Sequence, residues 1–234
     1  MIRLENVSKS YADKMILENI NFEVEQGDRV VILGKSGSGK TTLLNIIATI
    51  DSNYSGNVYL FNNYLRKLKN SDIAELRRDQ LGFIFQDFGL LENFNIEENI
   101  LLPSRSAGKD IKKDEYFNKL IDVLNIENLL KRYPSELSGG EKQRAAIARA
   151  IIKKPKLVVA DEITSALDIY TSKELIIYLD DVVTKFNITL LMVTHDLEVA
   201  RVCNKVYFIR HGHLIELDNL NSAEKLFYQE SNEG

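Results

Sequence analysis

Nine consecutive residues, Gly34 to Thr42 (GKSGSGKTT), carry the residue types that grip a phosphate chain. They meet the pattern G-x-x-x-x-G-K-[ST] through Gly34, Gly39, Lys40 and Thr41, after the apolar run Val30 to Leu33 and before Leu43, Leu44, Ile46 and Ile47. A strand before the loop and a helix after it are the context that the motif requires. Gly34, Gly37 and Gly39 can reach backbone angles that a Cβ disfavours. The N–H groups of the loop, with Lys35, Ser36, Ser38 and Thr42 between and after the glycines, can then curl around an anion at the positive end of a helix. Lys40 is expected to reach the β- and γ-phosphates. The Thr41 hydroxyl suits a Mg²⁺ otherwise held by phosphate oxygens and water. The motif predicts a nucleoside triphosphate and leaves its use open.

Other positions offer the chemistry that such a ligand needs. Leu157 to Ala160 is a short apolar run ending in Asp161-Glu162, as expected of a buried parallel strand with acids at its carboxyl end. Asp161 would orient the Mg²⁺ shell and Glu162 would polarise a water for in-line attack on the γ-phosphorus. Gln86 ends the apolar run from Leu81, and His195 follows Ile188 to Val193. Both fall where open α/β sheets bind ligands, and His195 could donate to the γ-phosphate. Tyr11, where a strand pair should end, could stack on a purine, a contact worth about 1–3 kcal/mol.

A second glycine-bearing helix start is Leu137-Ser138-Gly139-Gly140-Glu141, with Ser138 and Glu141 spaced as a capping box. One nucleotide has a single γ-phosphate, already claimed by the loop at Gly34. Two chains packed head to tail across ATP solve the problem: the Ser138–Gly140 turn of each caps the nucleotide of the other, and closure becomes nucleotide-dependent.

The elements that must present these residues can be read in order. Ile2 to Val7 and Ile20 to Val24 alternate as short antiparallel strands, Gly56 to Leu60 is another strand, and residues 66–78 read as a charged surface helix. From Asp87 to Pro134 helix-period patterns such as Tyr116, Leu120, Ile121 and Leu124 indicate an inserted helical subdomain, set at about residues 87–149. A βα succession then runs through a helix from about Thr171 to Phe186 and a strand near Val206 to Ile209, with a closing helix over Ser222 to Phe227. The fold class is α/β. With 234 residues and 44% hydrophobic composition, a single domain with an insertion is expected.

A net charge of -4 and a pI near 5.6 give no reason to expect nucleic acid as a partner. The lone cysteine, Cys203, lies in the apolar stretch Val199 to Val206 and reads as a small core residue of a protein in a reducing compartment. No run approaches the roughly 18 apolar residues that span a bilayer, and the N-terminus lacks a signal peptide's apolar core, so a cytoplasmic chain is expected.

Taken together, LSGGEKQR (Leu137 to Arg144), the phosphate loop, Leu157 to Glu162, Ser165-Ala166-Leu167-Asp168 and Thr194-His195-Asp196 resemble the ATP-binding subunits of ABC transporters over nearly the whole chain. The resemblance implies a RecA-like core with an N-terminal antiparallel β subdomain, about residues 1–86 and 150–234, around the helical insertion. It implies that Tyr11 stacks on adenine, that Gln86 is a Mg²⁺ ligand contacting the transmembrane partner, and that Ser138, Gly139 and Gly140 act in trans. It also implies that Asp168 links the two sites and that His195 is the switch histidine. The partners implied are a second copy across two ATP molecules and a permease holding the chain at the cytoplasmic face of the membrane. Leu81 to Pro103 looks most like the lipoprotein-release, macrolide-export and antimicrobial-peptide-export group. Ile163 departs from the family's usual proline, which would stiffen that turn. Two other uses fit the same residues: a regulatory dimer acting on a cell-wall or division partner, and a soluble non-transport ATPase.

Overall fold

The alternating N-terminal pattern forms two long strands, β1 (Ile2–Tyr11) and β2 (Lys14–Val24), antiparallel from Ile2↔Val24 to Tyr11↔Lys14. The expected strands were shorter, stopping at Val7 and starting at Ile20. Ladder bonds join backbone groups whatever the side chains, so polar Ser8, Ser10 and Lys14 extend both strands beyond the apolar alternation. The computed structural model describes residues 1–106, 114–218 and 220–232.

Next come β3 (Arg29–Leu33), α1 (Lys40–Ile47), β4 (Ser55–Leu60), β5 (Asn63–Tyr64), α2 (Asn70–Gln80) and β6 (Leu81–Ile84). The middle of the chain holds α3 (Ile96–Ser106), α4 (Glu115–Val123), α5 (Gly139–Ile151), β7 (Leu157–Asp161) and α6 (Ile169–Phe186). β8 (Thr189–Thr194), β9 (Lys205–Arg210), β10 (His213–Leu217) and α7 (Leu220–Asn232) follow. The helix expected over residues 66–78 divides: Leu65–Lys67 is a separate 3₁₀ turn and α2 begins at Asn70. There the Asp72 side chain accepts from the Lys69 N–H at 3.2 Å and fixes a new helix start. Part of the expected helical subdomain, residues 107–113, lies outside the described residues, as do 219, 233 and 234.

Two compact units make up the chain. One comprises Met1–Arg77 and Leu190–Gly234. Its first sheet is antiparallel, in the order β2-β1-β4-β5. Its second has β3 parallel to both β8 and β9, with β10 antiparallel to β9. Val30 to Leu33 are all fully buried, as are Leu43, Ile46 and Ile47 of α1. Each such side chain contributes about 1.5–3 kcal/mol of transfer free energy, which fixes the strand, and with it the start of the phosphate loop.

The other unit, Arg78–Thr189, pairs β6 parallel to β7 and packs α5 against β6, α3 and α6. Ala145 to Ala148 are fully buried; small side chains let α5 be enclosed on most of its surface. Cys203, expected in the core, is only half-buried. Val199 and Ala200 of the preceding 3₁₀ turn take the interior positions instead.

Candidate functional site

The phosphate loop leaves β3 at Gly34, where an added Cβ would lie 2.8 Å from the Ile209 carbonyl and 2.8 Å from Ser38 Oγ. Space for any other residue is absent. Gly39 caps α1 at φ 105, with no side-chain hydrogen bond to the first helical N–H groups. Lys40 is 5% exposed, and its ammonium donates to the carbonyls of Gly34 at 2.9 Å and Lys35 at 3.0 Å. Ser38 Oγ is buried without a hydrogen-bond partner among the described residues. An orphaned hydroxyl beside a helix start whose N–H groups lack a side-chain cap is what a phosphate oxygen would satisfy. Thr41 is exposed and Thr42 half-buried on the first turn of α1. A cavity of about 240 Å³ opens at the loop, lined by Lys14 to Ile16, Lys35 to Ser38 and the His211–Gly212 turn.

The same unit holds Tyr11 and His195. Tyr11 ends β1, is 51% exposed and donates its phenol hydrogen to Asp51 at 3.1 Å. Register places Leu33 beside Thr194, so the backbones of Gly34 and His195 leave neighbouring parallel strands side by side. His195 is exposed, in a turn tightened by Asp196 N–H donating to Thr194 Oγ1 at 3.0 Å.

Gln86, Asp161, Glu162 and the Ser138 turn belong to the other unit. Ile84 pairs with Ala160, which brings the chain segments of Gln86 and Glu162 to adjacent strand ends; Gln86 is exposed and both acids half-buried. Glu162 sits at φ 45, a left-handed conformation costing about 1–2 kcal/mol for a residue with a Cβ. Its carbonyl accepts from both the N–H and the hydroxyl of Ser165, at 3.1 and 2.8 Å. Ile163 is 3% exposed, so a buried side chain anchors the turn where a proline would have done so by its fixed φ. Asp168 caps α6, accepting from Tyr170 N–H, Thr171 N–H and the Thr171 hydroxyl. The Thr171 side chain, then its backbone, hold the Asp168 carboxyl below its ordinary value.

The expected capping box forms at the second glycine-bearing helix start. Ser138 N–H donates to Glu141 at 2.8 Å, and Glu141 N–H to Ser138 Oγ at 3.4 Å. A Cβ on Gly140 would fall 2.4 Å from Thr171 Cγ2, so α5 and α6 meet closely just behind the turn, while Ser138 faces solvent. The Ser138 N–H, against a smaller opposing effect of burial, holds the Glu141 carboxyl below its ordinary 4.5. A depressed carboxylate contributes stability fully above that ordinary value and loses it as pH falls through the lowered one. Glu141→Gln keeps a side-chain acceptor but no charge. Its thermal midpoint should therefore lie below that of the parent at neutral pH and converge on it at acid pH; parallel melting curves across pH would refute the charge contribution.

Several residues with no motif carry the local architecture. Arg149, 9% exposed, donates to the carbonyls of Phe88, at 2.8 Å, and Gly89. Asn99, fully buried, donates to the carbonyls of Leu91, Phe94 and Asn95 and accepts from Leu91 N–H at 2.7 Å. These two side chains brace residues 88–95, from which Leu91 and Phe94 project 43% and 36% exposed, with Phe85 41% exposed nearby in sequence. The buried amide in Glu98-Asn99-Ile100 was the available signal, but its partners lie in a loop without periodicity.

A strand–phosphate loop–helix unit in a parallel sheet, with acids ending a buried strand, defines the P-loop nucleoside triphosphatases of the α/β class. The sequence profile of the ABC transporter family matches residues 17–165. The chain is 40% identical to the ABC transporter ATP-binding protein YxdL of Bacillus subtilis, over 98% of this chain and 91% of that one. It is 38% identical to the bacitracin export ATP-binding protein BceA of Halalkalibacterium halodurans, over 98% and 93%. The ATP-binding cassette MJ0796, solved as a dimer in a post-hydrolysis state bound to ADP and Pi, superposes with a TM-score of 0.80 at 34% identity, covering 94% of this chain and all of that one. The chain belongs to the ABC transporter family, as one of its ATP-binding, ATP-hydrolysing subunits with a RecA-like α/β fold.

Proposed function

We propose that the whole chain is one ATP-binding cassette that works as a homodimer across two ATP molecules and drives a membrane permease. The cargo class is an antimicrobial peptide, a lipoprotein or another amphipathic molecule taken out of or across the membrane, in keeping with the bacitracin-export relative. The observation that carries the nucleotide part of this reading is the prepared phosphate cradle, a crowded Gly34, the orphaned Ser38 hydroxyl and a buried Lys40; the transport part is supported by the likeness to export ATP-binding proteins. Lys35 to Thr42 supply N–H groups and Lys40 the cation for the phosphates; Tyr11 takes the base.

The hydroxyl of Thr41, the amide oxygen of Gln86 and the carboxylate of Asp161 are hard oxygen donors of the kind Mg²⁺ prefers, and we assign the metal to them. Bound there, Mg²⁺ would neutralise charge on the phosphates. Glu162 accepts the proton of the attacking water and His195 donates to the γ-phosphate. Ser138, Gly139 and Gly140 cap the nucleotide of the other copy, with Asp168 linking the two sites. Among the described residues no helix is long and apolar enough to cross a membrane. In this reading the permease holds the chain at the cytoplasmic face. Phe85, adjacent to Gln86 in sequence, and Leu91 and Phe94, on the segment held by Arg149 and Asn99, offer it an apolar surface.

Copurification tests the reading. Full-length chain carrying an affinity handle, extracted from its own cells in mild detergent, should bring down an integral membrane protein whose presence raises its ATPase rate. Recovery of the chain without any such protein would overturn the transport reading while leaving the ATPase intact.

A further inference from the structure

Lys9 and Asp51 form an ion pair largely withdrawn from water, within the unit that carries the phosphate loop. The Lys9 side chain is 3% exposed and that of Asp51 18%. The ammonium lies 2.7 Å from one carboxylate oxygen and 3.0 Å from the other, and also donates to the Asn53 carbonyl. The carboxylate accepts two further bonds, from Asn53 N–H at 2.9 Å and from the Tyr11 hydroxyl at 3.1 Å. Lys9 Nζ is at the same time 4.6 Å from the centroid of the Tyr11 ring. Burial alone would raise the Asp51 carboxyl, but the bonds from Lys9, Asn53 and Tyr11 outweigh it and hold the group below its ordinary value.

A desolvated ion pair is a weak source of net stability, because the loss of hydration offsets most of the attraction. It is a strong source of geometry. Asp51 sits just beyond the last turn of α1, where its N–H and that of Ile50 both donate to the Asn45 carbonyl, at 3.1 and 2.8 Å. The first residue of that helix is Lys40. One continuous set of bonds therefore runs from the Tyr11 ring, through Asp51 and α1, to the phosphate loop.

We propose that Lys9 and Asp51 are positioning residues that fix the Tyr11 ring before the purine arrives, one gripping its hydroxyl and the other covering one face. This deepens the assignment of Tyr11 as the base platform and rests on it. The hydroxyl bond sets the ring's direction. The ammonium occupies one face, leaving the opposite face for stacking, and draws ring electron density toward itself. A half-exposed tyrosine without these contacts would lose rotamer freedom when the base binds; having lost it beforehand is worth about 2- to 12-fold in affinity.

The test compares ATP with inorganic tripolyphosphate, which engages the phosphate loop but has no base. Calorimetric titration of the full chain should give Tyr11→Phe and Lys9→Met an ATP affinity about 2- to 12-fold weaker, and Tyr11→Ala about 5- to 150-fold weaker. Tripolyphosphate affinity should be unchanged in all three. Lys9→Met leaves Asp51 without its cation, and if that variant does not fold, Tyr11→Phe alone decides. Normal ATP binding by Tyr11→Phe alongside weak binding by Tyr11→Ala would overturn the positioning role and keep the platform. Normal binding by Tyr11→Ala would remove the platform itself. Equal losses for both ligands would reduce the pair to a structural contact and overturn the proposal.

Discussion

Glu162→Gln is expected to bind ATP within about 2-fold of the parent, to hydrolyse it about 10²–10⁴-fold more slowly, and to accumulate as a closed dimer. The magnitude is that of removing one positioned general base. Gln has the length and shape of Glu, so the turn at φ 45, held by Ser165 and by buried Ile163, has no reason to rearrange. Lys40 and the loop N–H groups are untouched, so binding persists. Single-turnover phosphate release and light scattering with and without ATP measure the two effects. Hydrolysis at the parental rate would remove Glu162 from the chemistry. Loss of ATP binding would mean that the side chain holds the site together instead.

Ser138→Arg should separate binding from closure. Ser138 is exposed at the start of α5, so a bulky cation there is expected to spare nucleotide binding by the single chain. It would, however, stand where the proposed head-to-tail dimer places the other copy's triphosphate. ATP-dependent dimers should disappear and hydrolysis should fall about 100-fold or more, the scale of losing a positioned partner group. The change also deletes the cap hydroxyl, for which Ser138→Ala is the control. That variant should lose about 1 kcal/mol, or about 2–4 °C in melting temperature, and still dimerise. Persistent ATP-dependent dimers of Ser138→Arg would exclude closure through this turn.

The elements most legible in the sequence were those whose residues carry their own periodicity or cap. The buried strands β3, β7 and β8, helix α4 and the Ser138–Glu141 capping box lie where pattern put them, within a residue or two. Polar strand ends were less legible: Ser8, Ser10 and Lys14 join a ladder because a neighbouring backbone is present, which no side chain announces. The motif residues were readable because phosphate chemistry restricts residue type at fixed spacing. Their supports were not. Lys9 meets Asp51 across 42 residues, and Arg149 meets Gly89 across 60. Such partners are chosen by the fold, and a single chain of letters records the donor without its acceptor. The same holds for the exposed Phe85, Leu91 and Phe94, which in sequence look like any core residues.

The bonds from Arg149 and Asn99 to residues 88–95 also have a mechanical meaning. A backbone segment clamped through the carbonyls of Phe88, Gly89, Leu91, Phe94 and Asn95 has little compliance of its own. Two of those bonds come from Arg149 near one end of α5, whose opposite end is the Ser138 turn, and the others from Asn99 on α3. The segment and that turn are thus tethered to the two ends of the same helix, so a displacement of one has a short, hydrogen-bonded route to the other.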